Sequence, residues 1–218
     1  MEYYRELFST SNPINFNELL NAVQPKVTLA MNEKLTREFT GVEIRVTLKQ
    51  VFPFKAPGLD GMPPLFYQHF WSTSGAVVTK TMLDFLNHGI IPPNFNDTHI
   101  VLIPKIKDPK RVTDYRSISL CNVVYKLTSK AIANRLKKIL PTIISDTQSA
   151  FVQGRLIIDN VLLAFESMHH INQKRGGKEG EMALKLDKSN AYDRVEWICL
   201  EKIMEKLGFA ERWINLIM

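Results

Sequence analysis

The sequence lacks any apolar stretch that could cross a lipid bilayer, and its 218 residues include only two cysteines. A membrane-spanning helix needs about 20 predominantly apolar residues, and no such run occurs. Cys121 and Cys199 form neither a CxxC pair nor a cysteine–histidine metal spacing, which favours buried thiols in a reduced compartment. The opening MEYYRELFSTSNP has no basic start followed by an apolar run, so no secretory signal is predicted. We therefore expect an intracellular protein, in the nucleus or the cytoplasm, with no membrane partner.

Sequence signals for several other kinds of site are also missing. The stretch RGGKEG lacks the GK[ST] ending of a phosphate-binding loop and is interpreted as a connector. His169 and His170 are neighbours, so on a helix they point about 100° apart and are poor partners for one metal ion. With 45% hydrophobic and 23% charged residues, the composition is that of a globular chain and excludes an intrinsically disordered one.

Positive charge is present and is concentrated in one part of the chain. Residues 101–140 carry ten lysines and arginines against two aspartates, a net charge of +8. The whole chain has a net charge of +6, so the remaining residues together carry −2. A basic block beside a mildly acidic body is typical of a protein that binds a phosphate backbone, although a solvated helix face would give the same count.

The basic block contains a predicted hairpin and a predicted helix. Residues 100–103 form an apolar strand, and YRSISL alternates with period two, so the two predict an antiparallel pair with KIKDPKRVTD at its tip. VYKLTSKAIANRLKKILP then has apolar residues at helical spacing and predicts a helix that Pro141 stops. Helical segments are predicted before the hairpin, where TGVEIRVTLKQV fits a strand or a helix. These elements predict an α+β fold.

The stretch EMALKLDKSNAYDRVEW, residues 181–197, combines a strand pattern with two acids. MALKL predicts a buried strand that ends at Asp187, and helical spacing begins at Val195 and ends before Gly208. An aspartate at the end of a strand either accepts hydrogen bonds from turn amides or provides a hard oxygen ligand for Mg²⁺. Asp193 and Glu196 have the spacing of a capping box at the start of the following helix.

Four blocks in this order resemble the reverse transcriptases of non-LTR (LINE-type) retrotransposons, particularly those of plants. LKLDKSNAYDRVEW is similar to motif A of that family, and KAPGLDGMPPLFYQHFW is similar to the segment before its fingers. The hairpin and its following helix resemble the fingers, and ISDTQSAFVQGRLIIDNVLLAFE resembles the next block. Three positions depart from the family pattern: Leu59 and Ser117 replace prolines, and Asn190 replaces a lysine.

The resemblance implies a partial right-hand polymerase fold, with the fingers and the beginning of the palm. Residues 1–51 are then a helical N-terminal extension, and residues 52–98 are a helical segment before the fingers. Residues 99–218 are a partial reverse transcriptase domain, with the fingers extending to about residue 180 and palm motif A in residues 181–218. The implied partners are an RNA template, a DNA primer and deoxynucleoside triphosphates, and the implied cofactor is Mg²⁺, with Mn²⁺ as the alternative ion.

The resemblance also assigns roles to individual residues. Asp187 takes the position of the catalytic aspartate that binds the metal ions, together with the backbone carbonyl of Lys188. Tyr192 stands where an aromatic side chain screens the 2′ position of the sugar. Lys105 and Arg116 match the cations that hold the triphosphate. Gln148, Phe151, Gly154 and Arg155 match the block near the template. The positive charge of the predicted hairpin tip, and not the resemblance, assigns nucleic-acid contacts to Lys107, Lys110 and Arg111.

The 218 residues contain no second acidic motif of the ADD type and no motif B, so we expect them to be inert as a polymerase on their own. Two-metal catalysis needs carboxylates from more than one strand to hold both ions. The alternative function is a non-catalytic nucleic-acid-binding remnant that keeps the basic fingers. A doubly-wound phosphotransfer domain is a third reading, which the hairpin and the lack of repeated βαβ units disfavour.

Overall fold

The computed structural model describes residues 2–174, 176, 180–186 and 193–218, and these residues form two compact units. The first unit contains residues 1–28 and 137–209, and the second contains residues 29–136 and 210–218. The division predicted at residues 51 and 98 was based on sequence motifs, whereas these two units are defined by contacts between residues. No described helix is long and apolar enough to cross a membrane.

The described residues form helices of four to eighteen residues and one pair of strands. The helices of the first unit are α1 (Glu2–Leu7), α2 (Asn17–Asn21), α8 (Leu140–Ile143), α9 (Ile157–Gln173) and α10 (Trp197–Leu207). Those of the second unit are α3 (Leu29–Thr36), α4 (Gly41–Lys49), α5 (Pro64–His69), α6 (Trp71–His88), α7 (Val123–Leu136) and α11 (Glu211–Ile217). Its strands are β1 (Thr98–Pro104) and β2 (Tyr115–Cys121).

The second unit has the predicted hairpin. Strands β1 and β2 are antiparallel, with Thr98 opposite Cys121 and Pro104 opposite Tyr115. The alternation in YRSISL and the short apolar run before it were sufficient signals, because a two-residue period fits only an extended chain. Helix α7 begins at Val123, directly after β2, so the hairpin extends from the start of this helix.

Helices α4 and α7 pack against each other in the core of the second unit. The ambiguous stretch TGVEIRVTLKQV is a helix, and a capping box between Thr40 and Glu43 begins it. Its buried face is formed by Ile44, Thr47 and Leu48. Four residues from the other helices are also buried there: Leu35, Met82, Val123 and Leu127.

The prediction that Pro141 stops the basic helix is wrong. Helix α7 ends at Leu136, and Pro141 stands in the first turn of the short helix α8. Proline is favoured in the first turn because its missing N–H has no intrahelical partner there. Gly89 ends α6 with a φ of 71° in the left-handed region.

Arg135, which the sequence places in the basic block, is buried inside the second unit. Its side chain is 4% exposed, and its Nε and Nη2 donate to the Glu43 carboxylate at 3.1 and 2.9 Å. Its other three N–H groups meet backbone carbonyls: Leu35 O at 2.9 Å, Glu38 O at 2.9 Å and Arg37 O. All five guanidinium donors therefore have acceptors, and the group also lies over the Phe39 ring.

In the first unit, Lys26 and Val27 contact the end of α10. The backbone N–H groups of Lys26 and Val27 both donate to Leu207 O, at 3.0 and 2.9 Å. Gly208 ends α10 with a φ of 93°, as predicted, and a Cβ built there would lie 3.2 Å from Val27 O. Glycine is therefore required at position 208 by both the conformation and the close approach.

Two predictions about the motif A region are wrong. Residues 181–186 form no strand, and Met182, Leu184 and Leu186 are 75–84% exposed, because no described segment pairs with them. The Asp193–Glu196 capping box is also absent. Glu196 is itself the N-cap of α10, and its side chain makes no cap hydrogen bond.

Replacing Arg135 with methionine is expected to destabilise the second unit by about 3–5 kcal/mol, because it removes two donors from the partly buried Glu43 carboxylate and the donors to three backbone carbonyls. Arg135→Lys should not restore stability, since an ammonium cannot reproduce the five-donor fork. The measurement is urea unfolding followed by circular dichroism. Lys138→Ala, at an exposed lysine, is the control and should change stability by no more than about 0.5 kcal/mol. A methionine variant as stable as the parent would contradict this role.

The Arg135–Glu43 contact also predicts a pH dependence of stability. Burial alone would raise the pKa of Glu43, but hydrogen bonds and the positive charge of Arg135 outweigh it and hold the pKa below the ordinary 4.5. A lowered folded-state pKa adds stability that is present above about pH 4.5 and is lost as pH falls through the folded value. Unfolding free energies measured from pH 6 to pH 3 should therefore fall less steeply in Glu43→Gln than in the parent. Equal slopes would contradict the assignment.

Candidate nucleic-acid and nucleotide interface

The tip of the β1–β2 hairpin is organised by Asp114, a residue that the sequence analysis did not assign. Its Oδ2 accepts hydrogen bonds from the backbone N–H groups of Lys110 at 2.9 Å and Arg111 at 2.8 Å. These two bonds, with the positive charges of Arg111 and Lys105, lower the pKa of Asp114. The sequence signal for this role of Asp114 was its position just before YRSISL. A short turn with a basic run needs an acceptor for its N–H groups.

Lys105 and Arg116 lie on the same face of the hairpin. Arg116 is opposite Ile103 in the register, and the N–H of Lys105 donates to Asp114 O at 2.7 Å, which extends the ladder by one pair. Because strand side chains alternate between faces, Lys105 and Arg116 are diagonal neighbours, with Cα atoms about 7–8 Å apart in such pairs. The spacing is short enough for both cations to contact one polyphosphate.

The two cations differ in their present contacts. The Nζ of Lys105 donates to Thr113 O at 2.8 Å, so it is held against the tip. The Arg116 side chain has no hydrogen bond or ion pair with any residue that the structure describes. An exposed guanidinium of this kind is able to bind a phosphate group through two parallel N–H bonds.

The remaining cations of the tip are exposed to solvent. Lys107 and Arg111 are exposed, and Lys110 is 80% exposed with Asp108 3.6 Å from its Nζ. An exposed ion pair of this length contributes little, so it leaves the lysine available to a stronger partner. The tip therefore concentrates exposed positive charge at one end of the hairpin.

Two other basic residues of the block have structural contacts. Arg135 is buried, as described above, and Lys126 Nζ donates to Ala56 O at 2.7 Å. The Ala56 carbonyl belongs to the KAPGLDG loop, whose Gly58 lies against the start of α7. A Cβ at position 58 would lie 2.3 Å from Asn122 Oδ1, so only glycine fits there. The charge count of the sequence thus overstated the exposed basic surface.

The predicted template block, in the first unit, forms a compact loop around Arg155. Its Nη1 donates to Ser145 O and, at 2.7 Å, to Gln148 O. Its Nη2 donates to Pro141 O at 3.3 Å and to Asp146 Oδ1 at 3.0 Å. The guanidinium therefore ties residues 141–148 to the start of α9. Its assignment to template binding stays a prediction.

The same loop exposes an aromatic side chain. Phe151 is 79% exposed and has a φ of 64°, and Gly154 follows with a φ of 84°. A left-handed conformation is uncommon for a bulky residue and marks a backbone that its surroundings hold in place. Gln148 Nε2 donates to Ala150 O at 3.3 Å inside the loop. Phe151 thus presents a ring that a nucleic-acid base could stack on.

The motif A residues Asp187, Lys188 and Tyr192 lie outside the described residues, so their predicted roles stay predictions. Among the residues that the structure describes, no three histidine, cysteine, aspartate or glutamate side chains come together as a metal site. The chemical types at positions 187 and 188, a carboxylate and a backbone carbonyl, are the hard oxygen ligands that Mg²⁺ prefers.

The chain is similar to proteins of mobile elements. It is 31% identical over 217 residues to a 149 kDa protein of the transposon TX1 of Xenopus laevis, a match that covers 99% of this chain and 16% of that protein. It is 23% identical over 186 residues to a 115 kDa protein of the type-1 retrotransposable element R1DM of Drosophila melanogaster, covering 84% of this chain and 17% of that protein. The chain thus spans about a sixth of the length of these relatives.

A family model described as reverse transcriptase (RNA-dependent DNA polymerase) matches residues 103–218. The matched part begins inside β1 and includes the cationic tip, the Arg155 loop and the motif A stretch. Since this match covers more than half of the sequence, the chain belongs to the reverse transcriptase family.

Proposed function

We propose that this chain is part of the reverse transcriptase of a non-LTR retrotransposon and that it binds an RNA template, a DNA primer and deoxynucleoside triphosphates. The observation that carries the proposal is the hairpin tip, where Lys105 and Arg116 share one face beside further exposed cations. Relatives from two mobile elements support the retrotransposon origin. A plant-type element remains the finer proposal, on the motif resemblance alone.

The proposed role of the hairpin is to hold the triphosphate of the incoming nucleotide. Arg116 offers two N–H groups in a fork, and Lys105 offers a compact charge that exchanges the Thr113 carbonyl for a phosphate oxygen. The exposed tip residues Lys107, Lys110 and Arg111 would neutralise the nucleic-acid backbone. This arrangement corresponds to the fingers of a partial right-hand polymerase fold, with the beginning of the palm in residues 181–218.

In the same proposal, Asp187 and the carbonyl of Lys188 hold Mg²⁺, or Mn²⁺ in its place. When bound, the metal would supply charge neutralisation at the phosphate that is transferred. Tyr192 would exclude a nucleotide with a 2′-hydroxyl. The Arg155 loop would contact the template, with Phe151 as a stacking surface and with Gln148 and Gly154 shaping the backbone beside it.

The second candidate function is nucleic-acid binding without polymerisation by these 218 residues alone. The exposed tip favours it, because phosphate binding by the tip requires no metal. We propose that the residues bind template–primer and nucleotide but do not extend a primer unaided, since they contain one acidic motif where two-metal chemistry uses more. Primer extension that requires Asp187 would disprove the proposed lack of polymerisation. It would also show that another chain supplies further carboxylates.

The chain is expected to bind an RNA–DNA duplex with an affinity that falls as salt rises, because each phosphate contact releases counterions. Lys107→Ala combined with Arg111→Ala should weaken binding and make the logarithmic salt slope shallower by about one per lost contact. The measurement is the fluorescence anisotropy of a labelled duplex, recorded at salt concentrations from about 50 to about 200 mM. Lys34→Ala, at an exposed lysine of α3, is the matched control. A slope that the tip variant leaves unchanged would exclude the tip as the binding surface.

Arg116→Ala and Lys105→Ala are each expected to weaken deoxynucleoside triphosphate binding by about tenfold or more, because a hydrogen bond to a charged group contributes about 1.5–3 kcal/mol. Arg116→Lys should recover only part of the affinity, since it loses the two-bond fork. Titration of a fluorescent nucleotide checks this. Arg45→Ala, at an exposed arginine of the same unit, should bind normally. Equal losses for a nucleoside without phosphates would show that the base, and not the triphosphate, is being recognised.

A further inference from the structure

Thr10 and Ser11, near the N-terminus, bind the carboxylate of Glu196. The Oγ1 of Thr10 donates to Glu196 Oε2 at 2.6 Å. The N–H and the Oγ of Ser11 donate to Glu196 Oε1 at 2.8 and 2.6 Å. These partners are 185 and 186 residues apart in sequence. Three charge-assisted hydrogen bonds on one carboxylate therefore join parts of the chain that are distant in sequence.

The geometry of this segment is itself fixed by local bonds. Thr10 Oγ1 accepts from the N–H of Asn12 at 3.0 Å while it donates to Glu196, and Asn12 has a φ of 49°. Asparagine tolerates the left-handed region better than most residues do. Ser9 Oγ bonds instead to Arg5 O, at the end of α1. The turn is thus shaped to present two hydroxyls and one N–H to a single acid.

The same N-terminal region also holds the other end of α10. Lys26 and Val27 donate to Leu207 O, and a Cβ at position 208 would lie 3.2 Å from Val27 O. Glu196 is the N-cap residue of α10, and Leu207 is its last residue. Residues 10–27 therefore contact this helix at its first and last turns, a span of eleven residues.

Few apolar contacts accompany the Glu196 contact. A cavity of about 1080 Å³ lies beside it, lined by α1 and the start of α10, including Phe8 and Trp197. Both of these aromatic side chains are more than half exposed. Because packing contributes little there, the three hydrogen bonds carry the contact. The hydrogen bonds of Ser11 and Thr10 also lower the pKa of Glu196, which keeps it ionised as their acceptor.

We propose that residues 10–27 form a brace that fixes α10 at both ends, with Glu196 as a positioning residue for the chain that enters the helix. Asp187 precedes Glu196 by nine residues in sequence, so loss of the Glu196 contact is expected to weaken metal binding by Asp187. The brace goes beyond the family match, which begins at residue 103. Its link to metal binding rests on the proposed function.

Hydrogen exchange of the whole chain, read by mass spectrometry, tests the brace without any activity. Glu196→Ala and the double variant Thr10→Ala/Ser11→Ala should each speed exchange of residues 10–16 and 193–200 by about tenfold. Combining all three changes should add nothing beyond Glu196→Ala, which already removes all three bonds, whereas the double variant keeps the bond from the Ser11 N–H. Ser9→Ala, whose hydroxyl bonds only to Arg5 O, is the matched control. Unchanged exchange, or fully additive effects, would overturn the brace.

A second measurement tests positioning separately from stability. Binding of Mn²⁺ alone, followed by electron paramagnetic resonance, should weaken in Glu196→Ala, recover in part in Glu196→Gln, and stay at the parent value in Ser9→Ala. The Asp187→Asn variant provides the reference for complete loss. If Asp187→Asn binds Mn²⁺ normally, the proposed metal role of Asp187 is wrong, and the hydrogen-exchange experiment alone then tests the brace. If Asp187→Asn loses the ion while Glu196→Ala retains it, the positioning role is overturned.

Discussion

The buried guanidinium of Arg135 is the constraint on which the second unit depends. Removing an arginine from water is costly, and the cost is offset only when every donor has an acceptor. The acceptors here are three carbonyls at and just after the end of α3 and the Glu43 carboxylate at the start of α4. The carbonyls at a helix end lack intrahelical partners, so Arg135 supplies donors where the backbone needs them. Three helices are thereby fixed around one charge.

The cationic tip depends on this arrangement through α7. Strand β2 leads directly into the helix that carries Arg135, and Gly58 and Asn122 join the start of that helix to the KAPGLDG loop. The hairpin therefore extends from a base that is fixed at several points. Binding residues on loops are effective when a rigid scaffold positions them, because less conformational freedom is lost on binding. The charges at the tip are exposed to solvent and the Arg135 guanidinium is buried, although all of them belong to one basic block of the sequence.

Local patterns predicted the elements well where the physical cause was local. The hairpin followed from a two-residue period, and the end of α10 followed from a glycine, Gly208, in the left-handed region. Arg135 was not predictable as a structural residue, because its acceptors are 92–100 residues away in sequence. Glu196 was assigned to a local cap, yet its donors lie 185 residues away. A polar side chain takes the best partner in space, and sequence spacing reveals only the near ones.

The apolar pattern has the same limit. MALKL alternates as a buried strand does, and α9 has an apolar stripe that includes Ile157, Val161 and Phe165, each more than 60% exposed. An apolar pattern indicates which face of an element would be buried, but it does not identify the segment that would cover that face. A strand needs a hydrogen-bonding neighbour, and no described segment provides one for residues 181–186. For this chain, the hairpin, whose two strands lie near each other in sequence, is formed as predicted. The start of α10, by contrast, makes a contact that the local pattern did not predict, between Glu196 and the N-terminal segment.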